Sequence, residues 1–160
     1  MKAFNIWGTL LVFVLITGCG SKEPAISTYT FYTYDAECLG NNNGLQTILA
    51  WGTGKSEREG ANAAVRNAVL AVMFKGVHKG IGNCNIKPLI NKADAETAYQ
   101  DYFNRLMSTG SLYKKFVKDV EDHKASKAHD NLYKVGRIVQ INIPVLRQQL
   151  IDDGILSATN

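Results

Sequence analysis

Apolar residues recur along this chain in three rhythms, and each rhythm predicts a different element. From Trp7 to Ile16 they run almost unbroken behind Lys2, with only Gly8 and Thr9 intervening. That run is too short for a bilayer core, which takes about 20 apolar residues. It fits the apolar region of a secretory signal, usually about 7–15 residues behind a basic start. A period of two marks strands. Thr28 to Asp35 is built from aromatic and β-branched residues and predicts a strand. The stretch Gly40-Asn41-Asn42-Asn43-Gly44 is turn chemistry, with Asn-Gly able to supply positive φ. Leu45 to Trp51 predicts a second strand, paired with the first as a hairpin. Late in the chain Val135, Val139, Ile141 and Ile143 point one way and Gln140 and Asn142 the other, a half-buried strand from Tyr133 to Ile143.

The third rhythm is helical. Ser56-Glu57-Arg58-Glu59 has the form of a capping box. Ala61, Ala64, Val65, Ala68 and Val72 then form one stripe of a helix running to about Phe74, with side chains small enough for close approach to a sheet. Gly76 and Gly80 end it. Ile81 to Lys92 reads as irregular, and Pro88 argues against a central strand there. Asp94 is placed to cap a second helix carrying Tyr99, Phe103, Leu106 and Met107 on one face, which Gly110 stops. Leu112, Phe116, Val117 and Val120 predict a further short helical stripe, and the charged stretch from Glu121 to Asn131 a solvated loop. Pro144 suits the first turn of a last helix with Leu146, Leu150 and Ile151 inward, closed by Gly154 with Ile155 folding back. The elements predict an α+β class: a small, mainly antiparallel sheet with three to four helices packed on one face. No internal repeat is present.

Charge and cysteines sharpen this picture. The 160-residue chain carries a formal net charge of +4, and residues 1–18 contribute only Lys2 to it. The lysines are scattered, which gives no nucleic-acid signature, although a mild positive balance favours anionic headgroups or glycans. Beyond Cys19, the pair Cys38 and Cys84 in an exported chain is expected to be a disulfide. Closing that long loop is worth roughly 4 kcal/mol in the chain-entropy model.

Candidate chemistry is sparse. Gly52-Thr53-Gly54-Lys55-Ser56 imitates the end of a phosphate-binding loop, but the full pattern needs glycine at position 49, which is Leu49. The expected reading is a tight strand-to-helix turn with Ser56 as cap, and no nucleotide. His123 and His129, beside Glu121, Asp122 and Asp130, match no recognised metal spacing, so no metal is expected. His78, between Lys75 and Lys79, reads as a capping or surface residue. No residue is singled out as catalytic, since no Gly-x-Ser-x-Gly elbow occurs and the carboxylates sit in charged runs. The candidate binding surface is aromatic: Tyr32 and Tyr34, on one face of the strand that also carries Tyr29 and Phe31, together with Trp51.

Two resemblances extend this reading. Leu15-Ile16-Thr17-Gly18-Cys19, at the end of an N-terminal apolar run, resembles the lipobox of bacterial lipoproteins. It implies cleavage after residue 18, diacylglycerol on the Cys19 thiol and often a further acyl chain on the new amine, no cofactor besides this covalent lipid, and a membrane-held protein. Residues 19–27 then form a lipidated tether and residues 28–156 a single α+β domain. Gly20 and Ser21 lack the aspartate that retains many Gram-negative lipoproteins in the inner membrane, which points to the outer membrane. The segment from Ala50 to Val69, with Gly52-Thr53-Gly54, a capping serine and alanines at helical spacing, resembles the flagellar-assembly FlgT N-terminal type of domain and related small outer-membrane lipoproteins. Gly60 departs from that pattern, which usually has alanine there. The resemblance implies a scaffold or accessory role in an envelope assembly, with envelope proteins as partners. The alternatives are a peptidoglycan or glycan binder using Tyr32, Tyr34 and Trp51, and an envelope hydrolase using unplaced carboxylates or His123 and His129.

Overall fold

The computed structural model describes residues 35–81, 84, 86–108, 112–127 and 131–158. The predicted strand at 28–35, with Tyr29, Phe31, Tyr32 and Tyr34, falls before them except for Asp35. Cys19, Gly110, His129 and Asp130 also lie outside the described residues.

The hairpin is formed by β1 (Ala36–Asn42) and β2 (Leu45–Gly54). Sequence patterning assigns Gly40–Asn42 to the turn, whereas the structure places them in β1. Only Asn43 and Gly44 turn the chain, at φ 51 and 84. Positive φ at both central residues is what a two-residue loop needs to match the strand twist. A register shift between Cys38 and Gly40 absorbs the extra residue Leu39.

Ser56 caps α1 (Glu57–Leu70), its Oγ accepting from Glu59 N at 3.2 Å. The reciprocal arm reaches one residue further back than a capping box predicts, because Glu59 Oε2 accepts from Lys55 N at 2.8 Å. Ser56→Ala should cost about 1 kcal/mol, and Lys55→Ala should stay near neutral because its exposed ammonium makes little contribution. Urea unfolding of the two variants measures the difference. Ala64, Val65, Ala68 and Val72 are buried as their spacing predicts. The helix continues as a π turn, Ala71–Lys75, ended by Gly76 at φ 74.

The irregular segment that follows is bound to this turn rather than to a strand. Leu89 N donates to Val72 O at 3.1 Å and Ile90 N to Met73 O at 2.8 Å. Val77 and Ile86 exchange two backbone bonds, and the disulfide joins buried Cys38 to buried Cys84 across a Cα separation of 5.5 Å. Beside it, β3 (Lys79–Gly80) adds a short parallel rung to β1.

The second predicted helix is split at Tyr99 into α2 (Ala95–Ala98) and α3 (Gln100–Leu106), with Phe103, Leu106 and Met107 buried. Asp94 precedes it without a side-chain cap; its carboxylate sits 3.7 Å from Lys92 Nζ. After a 3-10 turn, Leu112–Lys115, the chain enters β4 (Val117–Lys127). This overturns two expectations: the helical stripe through Val120 and the solvated loop from Glu121. The charged run is an edge strand, where charge and irregular register discourage pairing with other chains. Its register against β5 (Tyr133–Asn142) shifts between Asp119 and Glu121 and again between Asp122 and Lys124. The last helix, α4 (Ile143–Asp152), is capped by Asn142 Oδ1 accepting from Val145 N at 3.1 Å. Gly154, at φ 72, ends it, and Ile155 N donates back to Leu150 O at 2.8 Å.

The five strands lie in the order β3-β1-β2-β5-β4, antiparallel except for β3 with β1. The class is α+β. One buried cluster takes Ile48 and Ala50 from β2, Val139 and Ile141 from β5, Ala68 and Val72 from α1, Phe103 and Leu106 from α3, and Leu146 and Leu150 from α4. These strand positions share one side of the pleat, so the helices lie on one face. Tyr102 on α3 ties this layer to the end of α4, its hydroxyl donating to Asp153 Oδ2 at 2.7 Å. Burial, then that bond and the charge of Asp153, hold the Tyr102 proton on well above its ordinary range.

Candidate interaction surface

The tightest helix–sheet contact is made by three glycines. A Cβ on Gly52 would fall on Ala64 N and Gly60 O, within the backbone of α1. A Cβ on Gly54 would meet Glu59 Cβ at 2.5 Å, and one on Gly60 would meet Val135 Cγ2 at 2.7 Å. The Gly-Thr-Gly sequence therefore lets α1 lie directly on the sheet, and Gly60 is glycine because β5 passes beneath it. The geometry has no wrapped phosphate loop here. Gly52, Thr53 and Gly54 are paired in register with Val135, Lys134 and Tyr133, and the Lys55 amide is taken by Glu59.

Asn67, 4% exposed in the middle of the apolar stripe, is a polar residue that helical periodicity does not single out. Its Nδ2 donates to Trp51 O at 2.7 Å. The Trp51 amide donates to Asp35 O at 3.3 Å, so both backbone groups of this residue are held. A buried carbonyl left without its donor would cost about 1–3 kcal/mol, which explains a polar side chain at this place.

Strand alternation sends Gln46, Ile48, Ala50 and Gly52 toward the helices and Thr47, Leu49, Trp51 and Thr53 to the opposite face. Register adds Gln140, Ile138, Gly136 and Lys134 from β5 beside those four in turn. Glu37 on β1 and Glu121 on β4 flank the Leu49–Ile138 row, and Lys118 extends the Thr47–Gln140 row. Leu49 is only 7% exposed yet lies outside the helix-side cluster, while Ile138 and Trp51 are half-buried.

Trp51 is the centre of this face. Gly136, its partner in register, makes room for the indole: a Cβ there would stand 3.0 Å from Cζ3 and 3.2 Å from Cε3 and Cη2. The benzo ring thus lies across the glycine. Lys134 Nζ is 5.1 Å from the ring centroid, and the His123 ring meets the indole edge-on at 5.8 Å. Such a cation–π contact is worth about 0.5–1 kcal/mol where exposed. The result is an aromatic plate bordered by Lys134 and His123, with Thr53 supplying a hydrogen-bonding group on the same strand face.

Of the residues singled out by sequence, Trp51 is on this face, and His123 joins it as a neighbour of the indole. Tyr32 and Tyr34 lie outside the described residues, as does His129. His78 is exposed beside β3. Among the described residues, no group of three or more His, Cys, Asp or Glu side chains gathers as a metal site. No helix among them is long and apolar enough to cross a membrane. Comparison with family models, curated proteins and solved structures finds no match for this chain.

Proposed function

We propose that this is a lipid-anchored scaffold or accessory protein of a bacterial envelope assembly, docking on another envelope protein through the sheet face centred on Trp51. The observation that carries the reading is the contrast between the two faces of the sheet. One side is packed by α1, α3 and α4, and the other carries half-buried Trp51 and Ile138 beside buried Leu49, with a polar and charged border. Protein interfaces favour this composition, an aromatic anchor amid a hydrogen-bonding rim. The lipobox-like end at Cys19 and the resemblance of residues 50–69 to flagellar-assembly domains support the same role.

Photocrosslinking in living cells tests it, with a photoreactive residue at Thr53 or Ile138 on this face and, for comparison, at Arg58 on α1. The face positions should give a reproducible protein adduct that Trp51→Ala removes and that Arg58 does not give. A peptidoglycan adduct in its place would establish the glycan-binding alternative, and the absence of any face-specific adduct would dismiss the docking reading. For the anchor, Cys19→Ser should abolish metabolic lipid labelling and leave uncut precursor. Normal processing of that variant would exclude the lipoprotein reading.

A further inference from the structure

A different surface lies at the hairpin-turn end of the sheet, where three separate segments converge. Register places Asn42 beside Leu45 and Leu45 beside Asn142, while Lys118 pairs with Gln140. Asn142 N donates to Phe116 O at 2.8 Å and Ile143 N to Gly44 O at 3.0 Å, closing the three segments together. Residues 40–47, 112–118 and 140–148 contain Lys114, Lys115, Lys118 and Arg147 and no aspartate or glutamate. A longer acid-free run, residues 60–93, differs in that Lys79 lies beside Asp35 and Lys92 beside Asp94. At the hairpin-turn end the three lysines are exposed, as are Asn41, Asn42 and Asn43.

The same end carries Leu112 at 41% and Val145 at 39% exposure, two of the three large apolar side chains that stand exposed among the described residues. Pro144, close to Gly44 of the turn, is also exposed. A cluster of basic residues joined by apolar side chains at one extremity matches a bilayer surface: the charges meet phosphate headgroups and the apolar groups enter the boundary layer. A protein partner with a flat acidic face would match the charges but offer nothing for Leu112 and Val145.

We propose that this end of the domain rests on an anionic phospholipid surface, using Lys114, Lys115 and Lys118 with Leu112 and Val145. The proposal rests on the anchored reading, since the lipid on Cys19 would hold the domain within reach of such a surface. It also sets the geometry of that reading, because the Trp51 plate lies toward the opposite end of β2 and remains accessible.

The test is lysine footprinting of the mature full-length protein on vesicles of neutral phosphatidylcholine and on vesicles about one-third phosphatidylglycerol. The unmodified chain is used, so no variant need fold. On the anionic vesicles Lys114, Lys115 and Lys118 should be acylated several-fold more slowly, and Lys55 and Lys92 at an unchanged rate. High salt should erase the difference because exposed charges are screened. Equal labelling on both vesicles, with the protein retained on both, would overturn the proposal and leave the anchor standing. A protein that leaves neutral vesicles lacks the anchor; its sedimentation with anionic vesicles alone would still support this surface, and failure to sediment would overturn it. Protection by a soluble acidic protein but not by vesicles would reassign the surface to a protein partner.

Discussion

Gly52→Ala should lower stability by about 3 kcal/mol or more, at the top of the range for overpacking a closed interior. The added methyl falls on the Ala64 amide and the Gly60 carbonyl. These are helix backbone atoms, which cannot rotate aside as a side chain does, so α1 must lift from β2 or the strand must bend. Lifting α1 also separates Asn67 from Trp51 O and loosens Ala64 and Ala68 from the sheet. Gly40→Ala is the control: a Cβ there meets nothing within 4 Å, and its cost should stay below about 1 kcal/mol. Gly60→Ala should fall between the two, since the obstructing Val135 Cγ2 belongs to a side chain with some freedom to shift. Urea unfolding of the three variants orders them. A Gly52→Ala protein as stable as the parent would show that α1 does not lie on β2 as described.

Loss of the Cys38–Cys84 bond should have an effect of similar size, roughly 4 kcal/mol if denatured-chain entropy dominates, within a usual span of about 0–5. The bond joins β1 to a segment with little regular structure, at a sequence separation of 46 residues. In the native state the consequence should be local. The segment is otherwise held by the Val77–Ile86 pair and by the bonds from Leu89 and Ile90 to the π turn. Cys84→Ala should therefore lower the thermal midpoint and speed amide exchange at Ile86, Leu89 and Ile90 well before exchange rises at Val139 or Ile141. Cys38 is wholly buried against the core, so alanine there adds a packing loss to the missing crosslink. Mass spectrometry of unreduced, alkylated protein with both thiols free would refute the pairing outright.

Several elements could be read from the chain because the signal for each is local. Alternation sufficed for β5, since Val135, Val139 and Ile141 pack on one layer of helices and alternate residues do not. The cap at Ser56, the proline-started α4 and its Gly154 stop depend on backbone groups a few residues away, so nearby sequence contains the whole interaction. The disulfide was legible from the pair of cysteines, Cys38 and Cys84, left beyond Cys19 behind a signal-like start. A resemblance to a P-loop dissolved on the sequence itself, through the missing glycine at Leu49, and the structure supplied the reason for the remaining glycines.

Tertiary structure decided what depends on distant partners. The run from Val117 to Lys127 is rich in charge and has no strand-like apolar alternation, yet it is a strand because β5 offers a complete row of backbone groups to pair with. Solvent on its outer edge makes its charges harmless. Asn41 and Asn42 look like turn residues, but the two-residue loop at Asn43 and Gly44 satisfies the hairpin, and pairing with β2 holds them in the ladder. Asn67 can be understood only from a carbonyl 16 residues away. The surfaces proposed for binding are of the same kind. Trp51 is conspicuous in sequence, but its setting across Gly136 with Lys134 and His123 comes from register. Likewise, Lys114, Lys115, Lys118 and Arg147 form one basic end only because the β4–β5 ladder and the hairpin turn bring three segments together. Short-range bonding and periodicity are written in the chain, whereas a surface composed of residues far apart in sequence exists only after long-range pairing has set their register.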